Sequence, residues 1–209
     1  TGLLFRISVF HHKVFKGVQT FYIKNSYDQG KYFQRPASAY TVIYDYYVYY
    51  SQLANEDGAA QISDFGAHVL SWTPAGGHPA VWQPKAVYLG EPIRGGVPVV
   101  LPWFALGFEH GEIAGKKPKH GFARTTVWHV DEDATDDRRI RYTLSDADAT
   151  PELLAQLHSG ASPRFHAVYD IEVGKELTMT LTVTNDGTEP LRYETALHTR
   201  SEEHTSELQ

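Results

Sequence analysis

The chain has 209 residues, 42% apolar and 21% charged, an ordinary globular composition that fills one core or at most two small domains. It contains no Cys, which excludes a disulfide framework, a thiolate nucleophile and a cysteine-built zinc site, and fits a reducing, cytoplasmic setting. The net charge of −6 argues against nucleic acid as a partner, and no apolar run reaches the ~18 residues that span a bilayer.

The charge is unevenly spread. Residues 1–50 carry six Lys/Arg against two Asp/Glu (+4), and residues 51–209 carry thirteen against twenty-three (−10). Nine of the thirteen Tyr also lie in the first fifty residues, six of them in YTVIYDYYVYY (40–50). This break places a boundary near residue 50, with 1–50 expected to be a non-native or poorly ordered extension. The Tyr-rich stretch reads as an edge strand or an aggregation-prone segment. A stacking platform would need a basic groove beside it, and none is evident.

From residue 61 the pattern sharpens. QISDFGAHVLSW (61–72) reads as a strand with a bulge or tight approach at Gly66, followed by a turn at TPAGGHP and a short strand at AVWQP (80–84). YLGEPIRGGVP (88–98) is a loop, and VVLPWF (99–104), broken by Pro102, suits a sheet edge. Residues 105–119 form a Gly/Lys-rich loop. GFARTTVWHVDED (121–133) alternates like a strand and ends in an acidic turn, and RRIRYTLSD (138–146) is another strand.

TPELLAQLHSG (150–160) is the single helix-like segment, with Thr150 as N-cap, Pro151 at the first position and Gly160 as the stop. Strands follow at FHAVYDIEVG (165–174), ELTMTLTVTN (176–185) and LRYETALHT (191–199). Many strands, turn-rich links and one short helix predict an all-β sandwich.

Several loop residues could carry chemistry. Gly95 and Gly96 let backbone come close to a ligand that Arg94 reaches, and a guanidinium fork suits phosphate or paired hydroxyls. Lys119, His120 and Arg124 cluster within eight residues of KPKHGFAR, and His198 sits where the last strand pattern stops. Alternation puts Glu194 on the same face as Ala196 and His198. A cross-strand partner for Glu194 is the simpler expectation. His110, Glu112, His120 and His198 could ligate a metal in a small β-barrel enzyme, but Lys116, Lys117 and Lys119 favour an anion there. DEDATDD (131–137) lacks the glycine and glutamate of a calcium loop and reads as a solvated turn.

Four motifs become specific together: GAHVLSWTPAGGHPAVW (66–82), IRGGVPVVLPWF (93–104), KPKHGFARTTVW (117–128) and LTVTNDGTEPLRYETALHT (181–199). In this order and spacing, over residues 61–199, the chain resembles the glucose-6-phosphate 1-epimerases, hexose-6-phosphate mutarotases related to aldose 1-epimerase. The resemblance implies part of a galactose-mutarotase-like β-sandwich and interconversion of the α and β anomers of a hexose 6-phosphate. It implies no metal and no organic cofactor, and a monomeric state for the intact relatives. It assigns Arg94 and Arg124 to substrate binding and His198 to catalysis. Lys119 stands where many relatives have Gln, leaving hydroxyl recognition there open, and His120 is a candidate substrate contact. A sugar-phosphate-binding module without turnover is the alternative.

The resemblance stops at Thr199. Relatives continue with Tyr-Phe and a further stretch of sandwich bearing a glutamate base, whereas Arg200 is followed by SEEHTSELQ (201–209). That tail resembles translated sequencing-adapter read-through. The expectation is an enzyme by lineage, with turnover impaired in a chain cut short of its base.

Overall fold

The computed structural model describes residues 7–15, 18–26, 45–82, 91–157 and 163–200, with side chains from Tyr50 onward. Five antiparallel strands form one sheet in sequential order: β1 (Ile7–Phe15), β2 (Val18–Ser26), β3 (Asp45–Asn55), β4 (Gly58–Ser63) and β5 (His68–Pro74). β3 lies between β2 and β4, so the part of the Tyr-rich stretch it contains is an inner strand and not an edge.

A second sheet runs β12–β11–β10–β9, built from β9 (His129–Val130), β10 (Arg139–Ser145), β11 (Phe165–Val173) and β12 (Leu177–Asn185). Along β10 and β11 the inward positions are buried and the alternate ones reach solvent, the period of two expected of a sheet with one face on the core. Arg141 and Asp170 are direct cross-strand neighbours and make a two-bond ion pair, Nε to Oδ1 and Nη2 to Oδ2, each 2.8 Å.

The two sheets pack face to face as a mutarotase-like sandwich. Leu53, Ile62 and Val69 from the first meet Ile140, Tyr142, Tyr169 and Ile171 from the second, all fully buried. Each such aliphatic side chain contributes about 1.5–3 kcal/mol through its removal from water. The Asn55 side chain ties the end of β3 to the second sheet by donating to the Val173 carbonyl at 2.9 Å. Trp103, Phe122 and Trp128 extend the core beneath the loops that connect the layers.

Four sequence expectations change here. Residues 61–72 are two strands, not one: Gly66 (φ +83°) occupies the turn between β4 and β5, and the pairing irregularity lies at Gln61/Ile62. A side chain at Gly66 would meet the Arg124 carbonyl at 2.7 Å, so the tight approach is real. Residues 121–133 yield only the two-residue β9, because a 3-10 turn at Ala123–Thr125 breaks the run. The helix is a single turn, α1 (Pro151–Leu154), and the Thr150 side chain makes no capping bond to its backbone. Residues 191–199 contribute only β13 (Ala196–Leu197), paired with β6 (Val99–Val100).

In the AVWQP segment only Val81 forms a bridge. Residues 83–90, Gly160 and the 201–209 tail lie outside the described residues. The Gly/Lys-rich loop contains a small hairpin, β7 (Phe108–Glu109) and β8 (Glu112–Ile113), turning at His110 and Gly111, both at positive φ. Among the described residues no helix is long and apolar enough to cross a membrane.

Candidate functional site

Three loops meet where the stretch around β13 lies along the stretch around β6. The His198 amide donates to the Pro98 carbonyl (3.1 Å), and the Arg200 amide donates to the Gly96 carbonyl (3.1 Å). The Glu194 amide donates to Pro102 (3.0 Å) and the Thr195 hydroxyl to Val100 (2.8 Å). Residues 194–200 are thus laid beside 96–102, which brings His198 and Arg200 up to the loop of Arg94.

The KPKHGFAR loop supplies the third wall. His120 adopts a left-handed backbone (φ +69°) and exchanges two bonds with Ala105. Its amide donates to the Ala105 carbonyl at 2.7 Å, and its ring Nδ1 accepts from the Ala105 amide at 3.1 Å. That second bond fixes the tautomer, since Nδ1 must be bare and the neutral ring carries its proton on Nε2. The next residue, Gly121 (φ +73°), is packed so closely that a Cβ would fall 2.0 Å from the Leu101 carbonyl.

The His120 and His198 rings lie 5.9 Å apart, and the Phe104 ring contacts both, at 4.9 Å and 6.4 Å between centroids. Phe104 is 43% exposed. Its amide donates to Glu194 Oε2 at 2.9 Å, so Phe104 links Glu194 and His198 through backbone and ring. Glu194 therefore caps a loop amide, and among the described residues it forms no cross-strand ion pair of the kind expected.

Glu194 brings one carboxylate near these rings, but the charges that act on His120 and Arg124 are positive. The Arg124 guanidinium is held below its ordinary pKa first by burial and then by the charges of Arg94 and Arg200, which places both within electrostatic reach of Arg124. Arg124 donates through Nη2 to the Lys119 carbonyl. Its Nε is shielded from solvent and has no hydrogen-bond partner among the described residues. His120 is likewise lowered by burial, then by Arg124, Lys119 and His198. A bound anion would relieve this repulsion.

Arg94, Lys119, His120, Arg124 and His198 are thus brought together. Sequence reasoning missed Phe104, read only as part of an apolar edge, and gave no role to Arg200, noted only as standing where relatives have Tyr. His110 and Glu112 stay on the β7–β8 hairpin. His110 lines a cleft of about 280 Å³ with Phe108, Lys116, Arg192, Tyr193 and Glu194. Among the described residues no three of His, Asp and Glu are grouped so as to hold a metal ion.

Comparisons with known proteins identify the family and the fold. Residues 50–200 match the family described as Aldose 1-epimerase. A Salmonella typhimurium protein provisionally named a glucose-6-phosphate 1-epimerase is 36% identical over 89 residues, 41% of this chain and 29% of that protein. An Escherichia coli protein with the same provisional name is 45% identical over 65 residues, 30% of this chain and 20% of the other.

Among solved structures, a provisionally named mutarotase (YeaD) from Salmonella typhimurium superposes with a TM-score of 0.55 at 22% identity, over 86% of this chain and 51% of that one. The protein HI1317 gives 0.54 at 21%, over 94% and 56%. These likenesses establish the fold. The chain spans about half the length of the solved proteins it resembles.

Proposed function

The chain belongs to the aldose 1-epimerase family, and from that premise we propose that its site binds a hexose 6-phosphate and serves the interconversion of the sugar's α and β anomers. One observation carries this reading: Arg94 and Arg124 stand within electrostatic reach of each other beside the His120–His198 pair, so a cationic grip adjoins two imidazoles. The guanidinium groups suit the phosphate, which anchors the sugar and keeps its reacting carbon in place.

Anomerisation moves two protons and one bond. A base takes the proton of the C1 hydroxyl, His198 gives a proton to the ring oxygen, and the C1–ring oxygen bond breaks to leave an open-chain aldehyde. Rotation about C1–C2 and the reverse transfers close the ring on the other face, returning both protons. An imidazole suits this because its pKa near neutrality lets it both give and take. The carboxylate base belongs, by resemblance to the glucose-6-phosphate 1-epimerases, to a stretch that follows the His198 motif in those relatives. His120, with its proton on Nε2, is placed to donate to a sugar oxygen. Lys119 adds charge beside it.

Binding without turnover is the second reading, and it is favoured by Glu194, whose carboxylate is already engaged with the Phe104 amide. Magnetisation-transfer NMR on glucose 6-phosphate with the purified chain separates the two. Anomer exchange above the spontaneous rate supports the enzyme. Saturable binding without exchange supports the module, and no binding removes both.

A further inference from the structure

The turn between β4 and β5 touches both arginine-bearing loops. The Gly66 amide donates to the Thr126 carbonyl at 2.8 Å, and the Trp128 amide donates to the Asp64 carbonyl at 2.8 Å. These bonds hold the backbone on the C-terminal side of Arg124, against which Gly66 itself is packed. Just beyond the turn, His68 is completely buried, and its Nε2 lies 2.8 Å from the carbonyl of Gly95, the residue after Arg94.

A carbonyl can only accept, so His68 carries its proton on Nε2 and Nδ1 is bare. Nδ1 is buried with no partner among the described residues, a burden of about 1–3 kcal/mol for an acceptor removed from water. Burial and then the nearby Arg124 and Arg200 charges lower the His68 pKa to about 4, which keeps it a neutral, single donor at physiological pH. An apolar side chain would avoid that burden, so simple core filling does not account for a histidine here. The contact with the arginine loop does.

We propose that His68 is a positioning residue for the anion grip: its Nε2–H holds the Gly95 carbonyl, and so sets the loop of Arg94 against the turn that also carries the Arg124 backbone. Gly96 shows how close the fit is. Its amide donates to Trp82 (2.8 Å), its φ is +60°, and a Cβ there would meet the Val69 carbonyl at 2.2 Å and His68 Nε2 at 2.6 Å. The Val97 amide, donating to Val69 at 2.9 Å, continues the seam. Arg94 is exposed, so its direction is set by this backbone and not by packing of its own side chain. The ligand side of this inference rests on the sugar-phosphate reading, whereas its geometric side does not.

Two variants test it. His68→Leu removes the donor, and His68→Gln places an amide N–H in reach of the same carbonyl. Amide hydrogen exchange is measured at Gly96 and Val97, with the core of β10 and β11 as internal reference, alongside affinities for glucose 6-phosphate and for glucose. In His68→Leu, exchange at Gly96 and Val97 is expected to speed up about ten-fold or more while the reference amides are unchanged. Glucose 6-phosphate affinity should fall by about ten-fold and glucose affinity by less than about two-fold, with His68→Gln recovering most of both losses.

Wild-type exchange in His68→Leu, or no recovery in His68→Gln, overturns the proposal. If His68→Leu does not fold, exchange at Gly96 and Val97 in His68→Gln decides: near-wild-type rates support it, and rates about ten-fold faster overturn it. Failure of the wild-type chain to bind glucose 6-phosphate removes the sugar-phosphate reading alone, and the exchange data still decide the role of His68.

Discussion

The rings of His120 and His198 lie 5.9 Å apart although they come from different loops, and His120 keeps its pKa below the ordinary value partly because of that neighbour. Burial is the larger cause, with Arg124 and Lys119 adding to it. A depressed histidine stabilises the fold above its ordinary value, near 6.5, and loses that contribution as pH falls through the lowered value. Ring NMR should therefore find His120 titrating below ordinary histidine and neutral, with its proton on Nε2, at pH 7. His198→Gln should move the titration upward, and glucose 6-phosphate should do so further. A free-peptide value in the unliganded protein would show that the site lacks this cationic field.

Arg94→Ala and Arg124→Ala should each weaken glucose 6-phosphate binding by about ten- to one-hundred-fold, the range of one charge-assisted contact. Glucose, lacking the phosphate, should change little. Arg124→Lys should rescue poorly, because Arg124 already commits one nitrogen to the Lys119 carbonyl and only a guanidinium has another to offer. Calorimetric titration of both sugars checks this. Equal losses for the two would detach the arginines from the phosphate.

His198→Gln should act on turnover instead of binding. Where anomer exchange is measurable, the rate should drop by about 100- to 10,000-fold, the usual contribution of a positioned proton-transfer group. Affinity should stay within a few-fold. A larger loss in affinity than in rate would make His198 a binding residue.

Asp64 sits under the β4–β5 turn, accepting from the Tyr142 hydroxyl at 2.8 Å, and burial raises its pKa to about 6 despite the bonds from Tyr142 and Ser51. A carboxyl with a raised pKa favours the fold when protonated, so its benefit is complete below about pH 4 and disappears as pH rises through 6. Relative to Asp64→Asn, the wild type should lose about 3 kcal/mol between pH 4 and pH 7.5. Urea unfolding of both proteins across that range measures the difference. A constant difference would mean that Asp64 titrates normally.

Gly121→Ala should destabilise the chain by about 3 kcal/mol or more, since it combines a left-handed backbone with a clash against fixed carbonyl atoms. Thermal unfolding checks it. A variant that melts like the wild type would show that the 101–121 contact yields easily.

Much of this molecule was readable in the order of its residues. The alternation in β10 and β11 is steep enough to predict both strands, since a one-residue slip would turn every apolar side chain to water. The motifs containing Arg94, Lys119, His120, Arg124 and His198 pointed to loops that lie near one another in the fold, though not to the contacts between them. Alternation was a poorer guide at 121–133 and 191–199. There the backbone bonds to other loops, through Gly66–Thr126 and Glu194–Pro102, and periodicity carries no information about such non-local pairing.

By itself, then, the order of residues determined the layer type, the inner faces of the long strands and which cationic side chains are candidates for an anion, because those follow from local period and residue chemistry. Tertiary structure alone decided that Phe104 stands between two histidines, that Glu194 caps a loop, and that a buried histidine on β5 reaches the carbonyl next to Arg94. Each of these is a contact between segments distant along the chain, set by how two sheets and their loops exclude water together.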